Sequence, residues 1–216
     1  MKKVLFGAML IAMFASCNKS LEEKANVLIE KNIKKMVYHP ESYDPTETRI
    51  DSAFTPFDDP DFYEKTMQLY KLGMAIDEYD KNMKDAKSSM SIWSGPYQSS
   101  FGRNEYQEAK EEYTKNAKNK KSTEEKARKL ADELKSMLDK EKVFIGFKVQ
   151  HRFRINNNAG QTTFGEMEFL FDKNMSEIFA SYDMDSEEYK AVQILYKQMR
   201  GEEDKEDIYD SEFEDE

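Results

Sequence analysis

The sequence predicts an α+β fold: an antiparallel sheet of about four strands packed with N- and C-terminal helices, with a long antiparallel helical hairpin inserted after the first strand. Three observations carry this. Apolar residues recur at helical spacing near both ends, the middle of the chain repeats them every seven residues, and from Lys142 the period changes to two. The order is therefore helix, strand, helical hairpin, three-stranded meander, helix. Such an order suits an antiparallel sheet with helices packed on one side.

Between Leu21 and Tyr38, the residues Leu21, Ala25, Leu28, Ile29, Ile33, Met36 and Val37 make one helical face, and His39-Pro40 ends it. Thr48, Ile50, Ser52 and Phe54 then alternate with Glu47, Arg49, Asp51 and Ala53 as a short edge strand. "FDDPDFYEK" is a helix start. Asp59 caps, Pro60 fits the first turn, and Asp61 meets the positive end of the helix dipole. Phe62, Leu69, Ile76 and Met83 repeat at sevens, with Leu72, Tyr79 and Ala86 beside them. A second arm from Asn104 carries Tyr106, Tyr113, Ala127 and Leu134 in one phase and Ala117, Ala131 and Leu138 in the next. The two arms, residues 60–141, read as a coiled-coil-like hairpin. Ser122 and Glu125 offer a capping box, so residues 104–141 form either one helix or two.

In "KVFIGFKVQHRFRI" the residues Val143, Ile145, Phe147, Val149, His151, Phe153 and Ile155 face one way. "NNNAG" turns the chain, with Gly160 supplying positive φ. Strands follow through Met167, Phe169 and Phe171 and through Ile178, Ala180 and Tyr182. Asp185 and Glu188 cap a last helix that ends at Gly201.

Residues 1–16 have the layout of a signal peptide, with Lys2 and Lys3 before an uncharged run from Val4 to Phe14. That run is about half of the roughly 20 apolar residues that cross a bilayer. "FASC", Phe14 to Cys17, ends it and holds the only cysteine of the chain. The tetrad resembles a bacterial lipobox, with phenylalanine where leucine is usual. The resemblance implies that Cys17 becomes an acylated N-terminus, which removes thiol chemistry from the finished protein. Asn18 in place of aspartate points to the outer membrane, and Glu22 and Glu23 faintly resemble acidic surface-export signals.

Residues 17–201 are expected to form a single domain. The tail from Glu202 to Glu216 holds ten acids and one lysine, a net of −9, and reads as disordered. Subtracting it from the chain's −10 leaves about −1 for residues 1–201, with no basic concentration to suit nucleic acid.

"HPESYDPTETRIDSAF", "SSMSIWSGPY" and "NNNAGQTTFGEMEF", together with the lipobox, resemble uncharacterised small lipoproteins of gut Bacteroidota. The element order is similar to cystatin-like and NTF2-like α+β folds, which host inhibitors, ligand cups and enzymes alike and so imply no one function.

Three places could carry function, one of them the tail, where Ile208, Tyr209 and Phe213 among acids could dock a basic partner by folding on binding or simply solubilise the terminus. The connector "KSSMSIWSGPYQSSFGR", residues 87–103, holds Trp93, Tyr97 and Phe101, and structureless connectors of that length are often functional. Trp and Tyr suit binding hot spots and sugar stacking, and equally cap the open end of a hairpin core. The alternative is a small-ligand cup around His151 with Tyr182, with His151 as a general base or simply a hydrogen-bonded core histidine. His39 is the only other histidine, so no histidine cluster exists for zinc, and "DDPD" (Asp58 to Asp61) lacks the spacing of a calcium loop. No serine sits in a nucleophile elbow. The sequence thus predicts a lipid-anchored, non-catalytic envelope protein without a cofactor, its partners the membrane and an envelope protein or glycan.

Overall fold

The computed structural model describes residues 20–96 and 99–202. The signal segment, Cys17, Tyr97 and the acidic tail beyond Glu202 lie outside the described residues. The elements are α1 (Leu21–Met36), a one-turn 3-10 helix (Pro40–Ser42), β1 (Asp44–Phe54), α2 (Pro60–Ile92), α3 (Ser100–Leu138), β2 (Phe144–Asn156), β3 (Thr162–Phe171), β4 (Ile178–Asp183) and α4 (Glu187–Arg200). This is the α+β order expected. The described residues form two compact units. One holds described residues up to 53 together with 146–183, and the other holds 54–145 with 184–202.

The first unit is α1 on a four-stranded meander of order β1-β2-β3-β4, with β1 and β4 at the edges. Ser20 and Glu23 start α1 with a capping box, each satisfying the other's backbone amide at 3.1 and 2.9 Å. The acidic residue that resembled an export signal is thus engaged in a cap. In the β2–β3 register Val149 lies opposite Phe169, His151 opposite Met167 and Phe153 opposite Gly165, so these share one face. Ala25, Ile29 and Ile33 of α1 pack on that face with Val149, Phe153, Ile155, Phe169 and Phe171. Ile29, Ile33, Phe169 and Phe171 are fully buried, and each such side chain stabilises by about 1.5–3 kcal/mol relative to an exposed one.

Two glycines are fixed by close approach. A Cβ on Gly165 would stand 2.6 Å from Cζ of Phe153, whose ring covers it, and one on Gly146 would stand 1.9 Å from the Phe171 carbonyl oxygen. On the other face Arg152 bridges to its cross-strand neighbour Glu166 at 3.2 Å and lies 3.9 Å from Glu47. Toward its end, β3 is buried on both faces, because Glu168 and Leu170 are covered as well as Phe169 and Phe171.

The second unit is the hairpin with α4 at its foot. The arms run antiparallel, since Lys65 lies 4.0 Å from Glu133, Lys120 pairs with Asp80 at 2.6 Å, and Trp93 meets Phe101. α3 is one helix of 39 residues, so Ser122 and Glu125 form no cap and the question of one helix or two is settled as one. At 1.5 Å per residue it is about 58 Å long.

The seam of α3 differs from the sequence reading in one row. Tyr106, Tyr113, Ala127 and Leu134 do lie toward α2, half-buried or buried. The row beside them is Gly102, Ala109, Asn116 and Thr123, all buried, whereas Ala131 is exposed. Small and polar residues here let the helices approach closely. Asn116 Nδ2 donates to the Glu112 carbonyl at 2.9 Å, and Thr66 Oγ1 to the Phe62 carbonyl at 2.8 Å, which satisfies both side chains on their own helices. The C-terminal helix, expected beside the sheet, buries its face in the hairpin's core, with Val192 and Tyr196 against Phe62 and Leu134.

Candidate functional site

Helix α2 continues through the serine-rich stretch to Ile92, and α3 begins at Ser100. The connector is therefore Trp93 to Ser99, not the seventeen residues read from the sequence, and is of ordinary length. Serine's modest helix penalty is outweighed where Ala86, Met90 and their neighbours continue the packed seam. Ser99 caps α3, its Oγ accepting from the Gly102 amide at 3.1 Å.

At this end Trp93 is half-buried and Phe101 meets it edge-on, ring centroids 5.6 Å apart at 84°. A Cβ on Gly102 would stand 3.3 Å from the indole, so the bare glycine backbone makes the seat for Trp93. Phe101 is 61% exposed and Ile92 72%. The structure therefore brings Trp93 and Phe101 together and adds Ile92, which the sequence reading passed over; Tyr97 lies outside the described residues. An isoleucine in a stretch of serines, two residues beyond Met90, was the available signal.

His151 sits on β2, fully buried. Its Nε2 is 2.8 Å from the Tyr43 hydroxyl, and its Nδ1 is 2.9 Å from Thr48 Oγ1, which in turn donates to Asn26 Oδ1 at 2.9 Å. The hydroxyl of Thr48 has one proton and gives it to Asn26, so it accepts from His151 Nδ1–H. That leaves Nε2 as acceptor for the Tyr43 O–H. All three bonds run one way, from Tyr43 through His151 and Thr48 to Asn26.

Burial pushes the imidazole down to about 4, so the ring is neutral at pH 7. Burial first, then the negative charges of Glu30 and Asp44, push the Tyr43 phenol up to about 12, which keeps it a donor. The Tyr43 and Phe153 rings pack on the imidazole with centroids at 6.1 and 5.9 Å. His151 offers no free nitrogen to a ligand. It ties α1, the turn before β1, β1 and β2 together.

Tyr182 does not join it. In the β3–β4 register Tyr182 lies opposite Glu168, while Met167, the neighbour of His151, lies opposite Asp183. A bulge between Leu170 and Phe171 shifts the phase, so Ile178 faces the α1 core whereas Tyr182 is on the other face. The pocket pairing of His151 with Tyr182 is corrected accordingly. The partners that the sequence reading missed are Tyr43 and Asn26; Thr48 was read as a residue of the first strand without a role.

Among the described residues no group of His, Cys, Asp and Glu is placed to hold a metal ion. Asp59 caps α2 by accepting from the Asp61 amide at 3.0 Å, and Asp58 accepts from the Phe54 amide at 2.8 Å. The charged face of the sheet encloses only about 40 Å³ among Glu47, Arg49, Gln150, Arg152 and Glu166, room for a water molecule and little more. Among the described residues no helix is long and apolar enough to cross a membrane. The chain matches no protein family, no curated protein and no solved structure.

Proposed function

We propose that the chain is a lipid-anchored protein of the cell envelope, attached to the outer membrane through Cys17, which binds another envelope component with the end of its helical hairpin and performs no chemistry. The observation that carries this is the apolar surface that Ile92 and Phe101 expose around Trp93. Exposed aromatic and aliphatic groups gathered at one place favour a contact surface. The engagement of both nitrogens of His151 within the core supports a binding role over an acid–base one.

The test is capture of envelope material by the protein and by its Ile92→Ala/Phe101→Ala variant, both side chains being largely exposed. Loss of capture with unchanged helical circular dichroism supports the reading, and full retention overturns the hairpin end as the site. Mass spectrometry of the N-terminus tests the anchor separately: acylation at Cys17 is expected, and an unmodified, freely soluble product overturns it.

A further inference from the structure

We infer that the component contacted by the hairpin end is a bilayer surface, with Ile92, Trp93 and Phe101 seated at the headgroup–acyl boundary. This rests on the reading of the hairpin end as a contact surface and names what it contacts.

The charge pattern argues for it. In a chain that is 35% charged, Ser88 to Gly102 is an uncharged run of fifteen residues, the longest in the described part. The first charge back along α2 is Lys87 and the first along α3 is Arg103, both exposed cations. Such a tip is neutral and apolar where a membrane is apolar, and the first charges on each arm, Lys87 and Arg103, stand where a bacterial bilayer presents phosphate, ahead of Asp85 and Glu105. Basic residues close to an anionic surface favour association.

The exposed groups fit the same pattern. Ile92 and Phe101 are the most exposed of the described apolar residues here, and Trp93 beside them has the amphipathic ring that concentrates at membrane interfaces. The serines here are engaged locally, Ser94 Oγ donating to the Ser91 carbonyl at 2.9 Å and Ser99 Oγ accepting from the Gly102 amide. A sugar site would present a flat aromatic face with fixed polar groups around it. Here the indole instead lies against Phe101 and Gly102. Two inserted side chains make a weak contact by themselves. The acyl chains proposed at Cys17 carry the attachment, and the hairpin end adds a contact to it rather than replacing it.

Trp93 is the only tryptophan in the chain, so its emission reports this end alone. The purified mature protein is mixed with vesicles of phosphatidylethanolamine and phosphatidylglycerol, plain or with brominated acyl chains. Blue-shifted Trp93 emission that brominated lipid quenches is expected. The quenching is expected to fall when phosphatidylcholine replaces phosphatidylglycerol and to be lost in Ile92→Ser/Phe101→Ser, whose folding is checked by circular dichroism. Equal emission from plain and brominated vesicles overturns the inference, as does quenching that the double variant retains. If emission is unchanged by vesicles while the same variant loses capture of an envelope protein or glycan, the bilayer is excluded and the broader reading of the hairpin end stands.

Discussion

At the scale of single residues, His151 gives a pH prediction whose direction follows from burial. Its folded value is pushed down to about 4, below the ordinary histidine value of 6.5. Between those values the unfolded chain holds the extra proton, so stability is full above about pH 6.5 and falls toward pH 4, by at most about 1.4 kcal/mol per pH unit. Urea unfolding of the wild type against His151→Gln across this window measures the difference, and parallel pH slopes would refute it. The two close-packed glycines predict unequal costs. Gly146→Ala drives a methyl into the backbone oxygen of Phe171, which only a shift of the strands relieves, and should cost more than about 3 kcal/mol. Gly165→Ala meets the tip of the Phe153 ring, which can turn aside, and should cost about 1–3 kcal/mol. Thermal melts of the two variants rank them. His151 itself was legible as an inward residue of a period-two strand. Its partners Tyr43 and Asn26 were not, because they come from a turn and a helix that only tertiary packing brings to β2.

At the scale of elements, the continuity of α3 makes a prediction by sign. Ser122 stands exposed within the helix, so Ser122→Ala should stabilise by up to about 0.5 kcal/mol through helix propensity. Were it a cap, the same change would destabilise. Ser99 is a cap, and Ser99→Ala should cost about 1 kcal/mol. Denaturant midpoints of the two variants therefore move in opposite directions. The hairpin was legible because Phe62, Leu69 and Ile76 on one arm and Tyr113 and Leu134 on the other mark the seven-residue period. The second row of α3 was not, since a search for apolar residues passes over Gly102, Asn116 and Thr123, which are buried for their small size or their bonds to the helix backbone. The face of Tyr182 was hidden for another reason: one bulge residue inverts a strand's phase, and nothing in "EIFASYD" announces it.

At the scale of the whole molecule, each unit carries its own core. Ile29, Phe169 and Phe171 belong to one cluster and Phe62, Leu134 and Tyr196 to another. The sequence order, helix–strand–hairpin–meander–helix, gives no sign of this division, since both units are built from segments distant in the chain. The proposed attachment makes a prediction at this scale too. Cys17→Ser should move the protein from the membrane fraction to the soluble fraction while leaving its circular dichroism unchanged. Cell fractionation followed by immunoblotting reads the outcome, and continued membrane association of the variant would mean that the attachment does not depend on Cys17.

The one-way run of hydrogen bonds from Tyr43 to Asn26 has a consequence for how this chain can drift. Each of the four side chains fixes the donor or acceptor role of the next, so a position can vary singly only where the replacement keeps that role. Thr48 can give way to serine, which keeps the hydroxyl, but valine there would strand a buried imidazole proton. Phenylalanine at 43 would strand the opposite lone pair. The tolerance of four positions spread from 26 to 151 is thus set by the direction of one run of protons.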